Sequence, residues 1–374
     1  MRTANKKHIA SFVQYFESGI KGESDKKIGL ELEHLILDKN QNYVSYYADN
    51  GIESILEKLR VYYKKESKEN GHLIGLESGD AVITLEPGGQ FELSIRPCAS
   101  ASESFTLYEK CRNQVVQILH PLGLELVNLG YQPKTPANDI DIIPKNRYKV
   151  FDELFINDRV EGKKMMRGTA STQISLDYFS EEDAIEKFQH FFALGPIWAL
   201  LFTNTPYFEG EKNKNPLIRS KIWHFTDSQR AGIIKDVFDK DFSFEKYAVL
   251  VDTIPLLVTE NGNALGKNAA QAYPDRELTK DEIEYIISNL FFDVRQKNFL
   301  ELRTVDSLSG ERLYKFMNSV YSAIYEKQKY AALKNLLGEL TFERVKTAKI
   351  SIMENGFQAR PYGKSLEQFK ELLL

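Results

Sequence analysis

The stretch IGLELEHLIL, residues 28–37, decides how the chain is expected to fold. At its start Leu30 and Leu32 alternate with Glu31 and Glu33. Successive side chains of an extended backbone point to opposite sides, so the leucines share one face and the glutamates share the other. The pattern predicts a β-strand with one buried face and one polar face.

The same alternation recurs in three later segments, Gln90–Ile95, Ser171–Asp177 and Phe299–Arg303. In each of them leucine, isoleucine or phenylalanine alternates with polar or charged residues, and Pro-Gly-Gly at 87–89 supplies a bend before the first. Strands with one apolar and one polar face suit an antiparallel or mixed sheet that is packed against helices on one side.

Helical spacing of apolar residues predicts the helices that would cover this sheet. They are a first helix that ends before Gly19, and the segments Ser104–His120, Glu182–Phe202, Asp281–Phe291 and Arg312–Leu336. The charged residues 64–70 predict a solvated loop. We therefore expect an α+β fold, with one domain over residues 1–374 and a helical C-terminal part from about residue 311.

Composition excludes several classes of function. The 374 residues are 42% hydrophobic and 27% charged, as in a globular protein with a large core. A net charge of −4 gives no basic field that would attract nucleic acid or an anionic membrane. Cys98 and Cys111 predict neither a disulfide framework nor a zinc site. With no signal peptide or membrane span expected, the prediction is a cytoplasmic protein.

Carboxylates are the chemically informative residues. Glu31, Glu33, Glu86, Glu92 and Glu301 lie on the polar faces of the predicted strands or next to them. On any single strand such residues face bulk water, but three strands would bring these to one acidic face. Converging carboxylates repel one another unless cations neutralise them. Because oxygen ligands favour hard cations, the residues predict bound Mg²⁺ or Mn²⁺, with Ca²⁺ also compatible.

Arg303 shares the polar face with Glu301, two residues before it. A guanidinium there would bind a phosphate oxygen beside the metal. The alternative is a structural salt bridge with Glu301.

Two other features carry no chemistry. GNALGKN, residues 262–268, has one residue too few for a phosphate-binding P-loop and lacks its hydroxyl, so it predicts a turn. His34 falls on the apolar side of its strand, which predicts a packed histidine.

ITLEPGGQFELS, residues 83–94, resembles the signature segment of plant-type glutamate-cysteine ligases, a family also found in many bacteria. Further segments similar to that family follow in the same order over roughly the first 310 residues. They are GLELEH at 29–34, GYQPK at 130–134, PKNRY at 144–148, TASTQISLDY at 169–178, RSKIWHFTDSQRAG at 219–232 and FLELRTVDS at 299–307.

The resemblance implies the fold of glutamine synthetase, in which a curved, mainly antiparallel sheet forms a funnel around the active site. It implies that Glu31, Glu33, Glu86, Glu92 and Glu301 bind metal, and that Glu92 and Arg303 are catalytic. It assigns Gln90 and Arg303 to the nucleotide. It assigns Arg219, Trp223, Thr169 and Gln173 to the amino-acid substrates, although a core aromatic is an alternative for Trp223.

The implied reaction uses ATP and Mg²⁺, or Mn²⁺, to phosphorylate the γ-carboxylate of glutamate. The amine of L-cysteine then attacks the acyl phosphate and gives γ-glutamylcysteine, the first step of glutathione-type thiol synthesis. The protein supplies no covalent nucleophile, so neither Cys98 nor Cys111 is expected to be catalytic. The alternatives are a related ligase with another amine or carboxylate, a metal-dependent phosphohydrolase, and a non-catalytic metal-binding protein.

Two departures from the plant pattern bear on acceptor selectivity. Gly168 stands where plant members have an arginine, with Arg167 one residue earlier, and Ile95 and Arg96 replace a Gly-Ala pair. We expect the second change to add bulk and charge near the rim of the pocket.

Overall fold

The computed structural model describes residues 4–158 and 161–374, and an antiparallel sheet lies at its centre. The strands of this sheet are β1 (Ile28–Asp38), β2 (Lys65–Glu69), β3 (His72–Glu77), β4 (Ala81–Leu85), β5 (Phe91–Cys98), β6 (Leu124–Val127), β7 (Ser171–Leu176), β8 (Val294–Gln296) and β9 (Leu300–Asp306). Two-residue strands elsewhere are Tyr207–Phe208 with Glu211–Lys212, Val258–Thr259 with Gly262–Asn263, and Ala231–Gly232 with Phe291–Phe292.

The strand order is β8, β9, β7, β1, β5, β4, β3, β2, and β6 pairs with the second half of β1. Neighbouring strands in this sheet run antiparallel. The four strands that alternation predicted are β9, β7, β1 and β5, which stand next to one another. The predicted α+β fold with a mainly antiparallel sheet is therefore confirmed.

Helices cover the apolar face of the sheet, with α3 packed on β5 and α6 on β9. The helices are α1 (Lys6–Glu17), α2 (Ile52–Leu59), α3 (Ala101–Leu119), α4 (Asn146–Asp158), α5 (Gly162–Gly168), α6 (Glu181–Leu201), α7 (Ile218–His224), α8 (Phe244–Thr253), α9 (Ala269–Ala272), α10 (Lys280–Ile287), α11 (Gly310–Tyr325), α12 (Lys327–Leu337), α13 (Phe342–Asn355) and α14 (Leu366–Leu373).

One large hydrophobic core runs from Phe12 to Leu373, so the C-terminal helices share it with the sheet. His34 is fully buried in β1, where its ring lies 2.9 Å from both the Phe91 carbonyl oxygen and the Tyr108 hydroxyl. The prediction of a packed histidine is confirmed. Within residues 4–158 and 161–374, no helix has the length and apolar character needed to cross a membrane.

Three local predictions were wrong. Residues 65–69 form the edge strand β2 rather than a loop, because backbone pairing with β3 needs no apolar alternation and its charged side chains stay exposed. The helix predicted over Asp281–Phe291 ends at Ile287, after which the chain turns into a short strand. The long helix predicted over 312–336 is divided at Glu326, whose backbone is extended (φ −87°, ψ 108°).

Gly168 ends α5 directly beneath the buried ring of Tyr131. A β-carbon at this position would come closer than 3.0 Å to that ring, which leaves no room for the arginine of the plant pattern. Arg167 does not replace that arginine, because its guanidinium donates to Asp152 at 2.6 Å and to the Ile140 carbonyl oxygen at 2.8 Å. The glycine is thus required by packing.

The second departure does not line either of the two cavities described below, contrary to expectation. Ile95 is a buried core residue of β5, and Arg96 is an exposed residue that forms ion pairs with Glu103 at 3.2 Å and Asp80 at 3.7 Å. Strand alternation turns Arg96 to the surface next to the core position of Ile95.

We predict that Gly168→Ala lowers the free energy of unfolding by about 1–3 kcal/mol, because an added methyl overpacks the site against Tyr131. Gly79→Ala is the matched control, since a methyl group added there would meet no described atom within 4 Å and its backbone is not left-handed. That change is expected to be neutral or slightly stabilising. Urea unfolding of both variants measures the difference, and equal midpoints would contradict the packing argument.

Candidate active site

A cavity of about 300 Å³ opens on the polar face of the sheet. Glu31 and Glu33 reach it from β1, Glu92 from β5, and Glu86 from the turn between β4 and β5. We call these four residues the acidic cluster. Glu33 pairs directly with Glu92 across β1 and β5, which explains how residues almost 60 positions apart meet.

Burial and mutual repulsion favour protonation of the acidic cluster. Burial, followed by repulsion from Glu86, raises the pKa of Glu33 to about 7. Burial also raises the pKa of Glu92 well above its usual value, and the other three glutamates raise it further. The pKa of Glu31 is raised mainly by burial and then by repulsion from Glu301. The cluster is therefore short of positive charge.

Neighbouring donors hold these carboxylates in place. Glu33 accepts hydrogen bonds from the Ser171 backbone N–H at 2.8 Å and from the Gln173 amide at 3.0 Å. Glu92 accepts one from the Thr84 hydroxyl at 2.6 Å. Over the described residues, no group of three acidic, histidine or cysteine side chains is arranged so that it could hold a metal ion. Metal binding by the five predicted glutamates stays a prediction.

The same cavity is lined by Arg147 from α4, Arg295 from β8, Arg303 from β9, and Lys297, which directly follows β8. We call them the cationic cluster. The face was expected to be strongly acidic, with Arg303 as a basic residue on it, and in the structure three further basic side chains share it. Arg147 is held over the rings of Phe151 and Tyr285, and its guanidinium donates to Ser288.

Glu301 is fully buried and does not line the cavity, unlike the other four predicted metal ligands. Its carboxylate pairs with Arg295 at 2.7 Å, Arg303 at 2.9 Å and Lys297 at 3.3 Å. Burial alone would raise the pKa of Glu301, but these three cations hold it well below its usual value. In this structure Glu301 anchors three of the four residues of the cationic cluster.

Of the two roles considered for Arg303, the structure shows the salt bridge with Glu301, while phosphate binding stays a prediction. Arg303 also lines the cavity and donates to the Gln173 side-chain oxygen at 2.5 Å. Since Gln173 donates in turn to Glu33, one amide joins the acidic and cationic clusters.

Gln90 and Thr169 line the cavity but use their polar groups internally. The Gln90 amide donates to the carbonyl oxygens of Met166 and Thr169, and its own oxygen accepts from the Gly88 N–H. The Thr169 hydroxyl donates to the Met165 carbonyl oxygen at 2.7 Å. These bonds fix the turn at 86–90 to the segment before β7, while contact of either residue with substrate stays a prediction.

We call the cavity lined by the acidic and cationic clusters the charged cavity. Arg219 lies outside it, in a neighbouring cavity of about 30 Å³. Its guanidinium donates to the carbonyl oxygens of Thr304 and Arg303 at 3.0 and 3.1 Å. Trp223, Phe291 and Arg303 line both cavities and separate them. Trp223 is half-buried at this boundary, so it is not simply a core aromatic.

Sequence reasoning missed Arg147, Arg295 and Lys297. Arg147 lies inside the PKNRY segment, whose lysine and arginine received no role. Arg295 and Lys297 lie on either side of Gln296 at the end of β8. Because β8 has only three residues, their alternation is too short to predict a strand. The pairing of Arg295 with Glu301 across β8 and β9 brings them to the site.

The chain also has relatives among known proteins. Residues 27–364 match the model of glutamate-cysteine ligase family 2. The chain is 30% identical over 344 residues to the chloroplastic glutamate-cysteine ligase A of Oryza sativa subsp. japonica, covering 88% of this chain and 69% of that protein. It is 30% identical over 341 residues to the chloroplastic glutamate-cysteine ligase of Arabidopsis thaliana, covering 88% and 65%.

Among solved structures, a glutamate-cysteine ligase from Francisella tularensis in complex with AMP matches with a TM-score of 0.47 and 13% sequence identity. The match covers 95% of this chain and 83% of that one.

We predict that Glu301→Gln destabilises the fold by about 3–5 kcal/mol, because it leaves three buried or half-buried cations without their shared carboxylate. Glu77→Gln is the matched control: Glu77 also pairs with a lysine, Lys65, but on the surface, and should cost less than about 1 kcal/mol. Chemical unfolding checks this. A loss at Glu301 no larger than at Glu77 would show that the cations do not depend on Glu301.

Proposed function

The chain belongs to glutamate-cysteine ligase family 2, and we propose that it joins the γ-carboxylate of glutamate to the amine of L-cysteine, coupled to cleavage of ATP. The products would be γ-glutamylcysteine, ADP and phosphate. The observation that carries the proposal is the cavity in which a cationic cluster faces the same space as an acidic cluster.

The first chemical step would be phosphoryl transfer. An oxygen of the glutamate γ-carboxylate bonds to the γ-phosphorus of ATP while the bond to the bridging oxygen breaks and ADP leaves. Negative charge from two anions must gather in one place, and Arg147, Arg295, Lys297 and Arg303 supply the opposing charge there. Arg303 is best placed to orient the transferring group, because Glu301 and Gln173 both hold it.

The second step would be amide formation. The cysteine amine attacks the carbonyl carbon of the acyl phosphate and loses a proton, and phosphate leaves with the former carboxylate oxygen. The protein's part is positioning, which alone can supply a large share of the rate. We place the amino acids towards Trp223 and Phe291, which separate the charged cavity from the smaller one beside Arg219.

Magnesium would be held by the acidic cluster, with Mn²⁺ as a substitute. Buried carboxylates with raised pKa values and oxygen donors fit a hard divalent cation. Proteins commonly hold Mg²⁺ with one or two carboxylates together with substrate phosphates, so the cross-strand pair Glu33 and Glu92 would suffice. When bound, the ion would neutralise this cluster and the phosphate oxygens.

We predict that the purified protein releases phosphate from ATP only when Mg²⁺, glutamate and cysteine are all present. Mass spectrometry should identify γ-glutamylcysteine as the product. The Arg303→Ala variant serves as a control for catalysis by this cavity. It should stay folded and its kcat should fall by about 10²–10³-fold, the usual effect of removing one charge-stabilising donor. Phosphate release without either amino acid, or no product with cysteine or any other amine, would contradict the assignment.

We also predict that Mg²⁺ raises the melting temperature of the wild type by several degrees, since a ligand that binds only the folded state stabilises it. Glu92→Gln should fold but gain much less from Mg²⁺. Glu125→Gln, an exposed glutamate on β6, should respond like the wild type. Thermal unfolding with and without Mg²⁺ measures this, and an undiminished gain in Glu92→Gln would remove Glu92 from the metal site.

A further inference from the structure

We propose that Lys297 is the mobile cation of the site. Its ammonium moves away from Glu301 and binds the polyphosphate chain of ATP. The inference deepens the proposed function and rests on it, because it assigns a nucleotide-contacting role to a residue of the same cavity. It starts from the unequal way in which three cations share one buried carboxylate.

Two of these cations are held by several partners. Arg295 contacts Glu301 at 2.7 Å and also donates to the Leu290 carbonyl oxygen. Arg303 contacts Glu301 at 2.9 Å and the Gln173 side-chain oxygen at 2.5 Å. A guanidinium fixed by two acceptors cannot move far without breaking both contacts.

Lys297 is held less firmly. Its ammonium lies 3.3 Å from Glu301, the longest of the three contacts, and it is the most exposed, at 21% against 10% for Arg295 and 16% for Arg303. Its second partner is the Phe299 ring, whose centre is 5.2 Å from the ammonium, and such a contact is weaker than a hydrogen bond from a guanidinium to an oxygen. Among the described residues, Glu301 is the only carboxylate within ion-pair distance of it. A lysine is also a compact charge on a long flexible stem, with three donors that can be redirected.

The position of Lys297 lets it move without disturbing the sheet. It directly follows β8, on the same side as Arg295, and lines the charged cavity. If its ammonium turns towards a phosphate, Arg295 and Arg303 still pair with Glu301, so no buried carboxylate is left alone. The polyphosphate gains a charge-assisted contact whose loss should weaken binding about tenfold to a hundredfold.

The test is calorimetric binding of a non-hydrolysable ATP analogue, with Mg²⁺, to the full chain. Lys297→Met should raise the Kd for the analogue by about tenfold or more, while glutamate binding changes less than about twofold. Lys297→Arg should restore part of the affinity. Lys65→Met, which removes an exposed lysine paired with Glu77, should leave both affinities unchanged.

Unchanged analogue binding by Lys297→Met would overturn the proposal. An equal loss of analogue and glutamate binding, or a melting temperature that falls in both Lys297→Met and Lys297→Arg, would also overturn it by showing a structural role. Analogue binding does not depend on the acceptor amine. Wild type that binds the analogue but makes no γ-glutamylcysteine would therefore refute the proposed function and leave the Lys297 result readable.

Discussion

The charged cavity depends on the ion pairs between the buried carboxylate of Glu301 and three cationic side chains. This carboxylate is fully enclosed, and it gathers Arg295, Lys297 and Arg303 within 3.3 Å of its oxygens. Without this counter-charge the three cations would repel one another and draw water into the sheet. The short hairpin from β8 to β9 sets the geometry, because antiparallel pairing places Arg295 opposite Glu301.

Antiparallel strand pairing also builds the acidic cluster, but there it brings like charges together. Antiparallel pairing sets Glu33 against Glu92, and burial and repulsion raise the pKa values of both carboxyl groups. One part of the cavity is thus neutralised by the protein itself, while the acidic part lacks a matching set of cations. Gln173 touches Arg303 and Glu33 and so connects the two.

The sequence predicted those features that depend on the alternation of apolar and polar residues along a strand. The four alternating strands are found as neighbours, and Glu31, Glu33 and Glu92 on their polar faces line one cavity, although Glu301 does not. What it could not predict depends on tertiary contacts. The position of Arg219 outside the charged cavity is set by its hydrogen bonds to two distant carbonyl groups, and the edge strand β2 is set by its partner β3. The contacts of Glu301 with Arg295 and Lys297 were also not predicted, because Arg295 lies on a strand too short to recognise and Lys297 directly follows that strand.

The most direct test of phosphoryl transfer onto a carboxylate in this cavity follows oxygen rather than rate. Glutamate labelled with ¹⁸O in its γ-carboxylate is incubated with the protein, ATP, Mg²⁺ and cysteine, and the released phosphate is analysed by mass spectrometry. An acyl phosphate intermediate transfers one labelled oxygen from the carboxylate to each phosphate. Phosphate that carries no label while γ-glutamylcysteine accumulates would contradict this account.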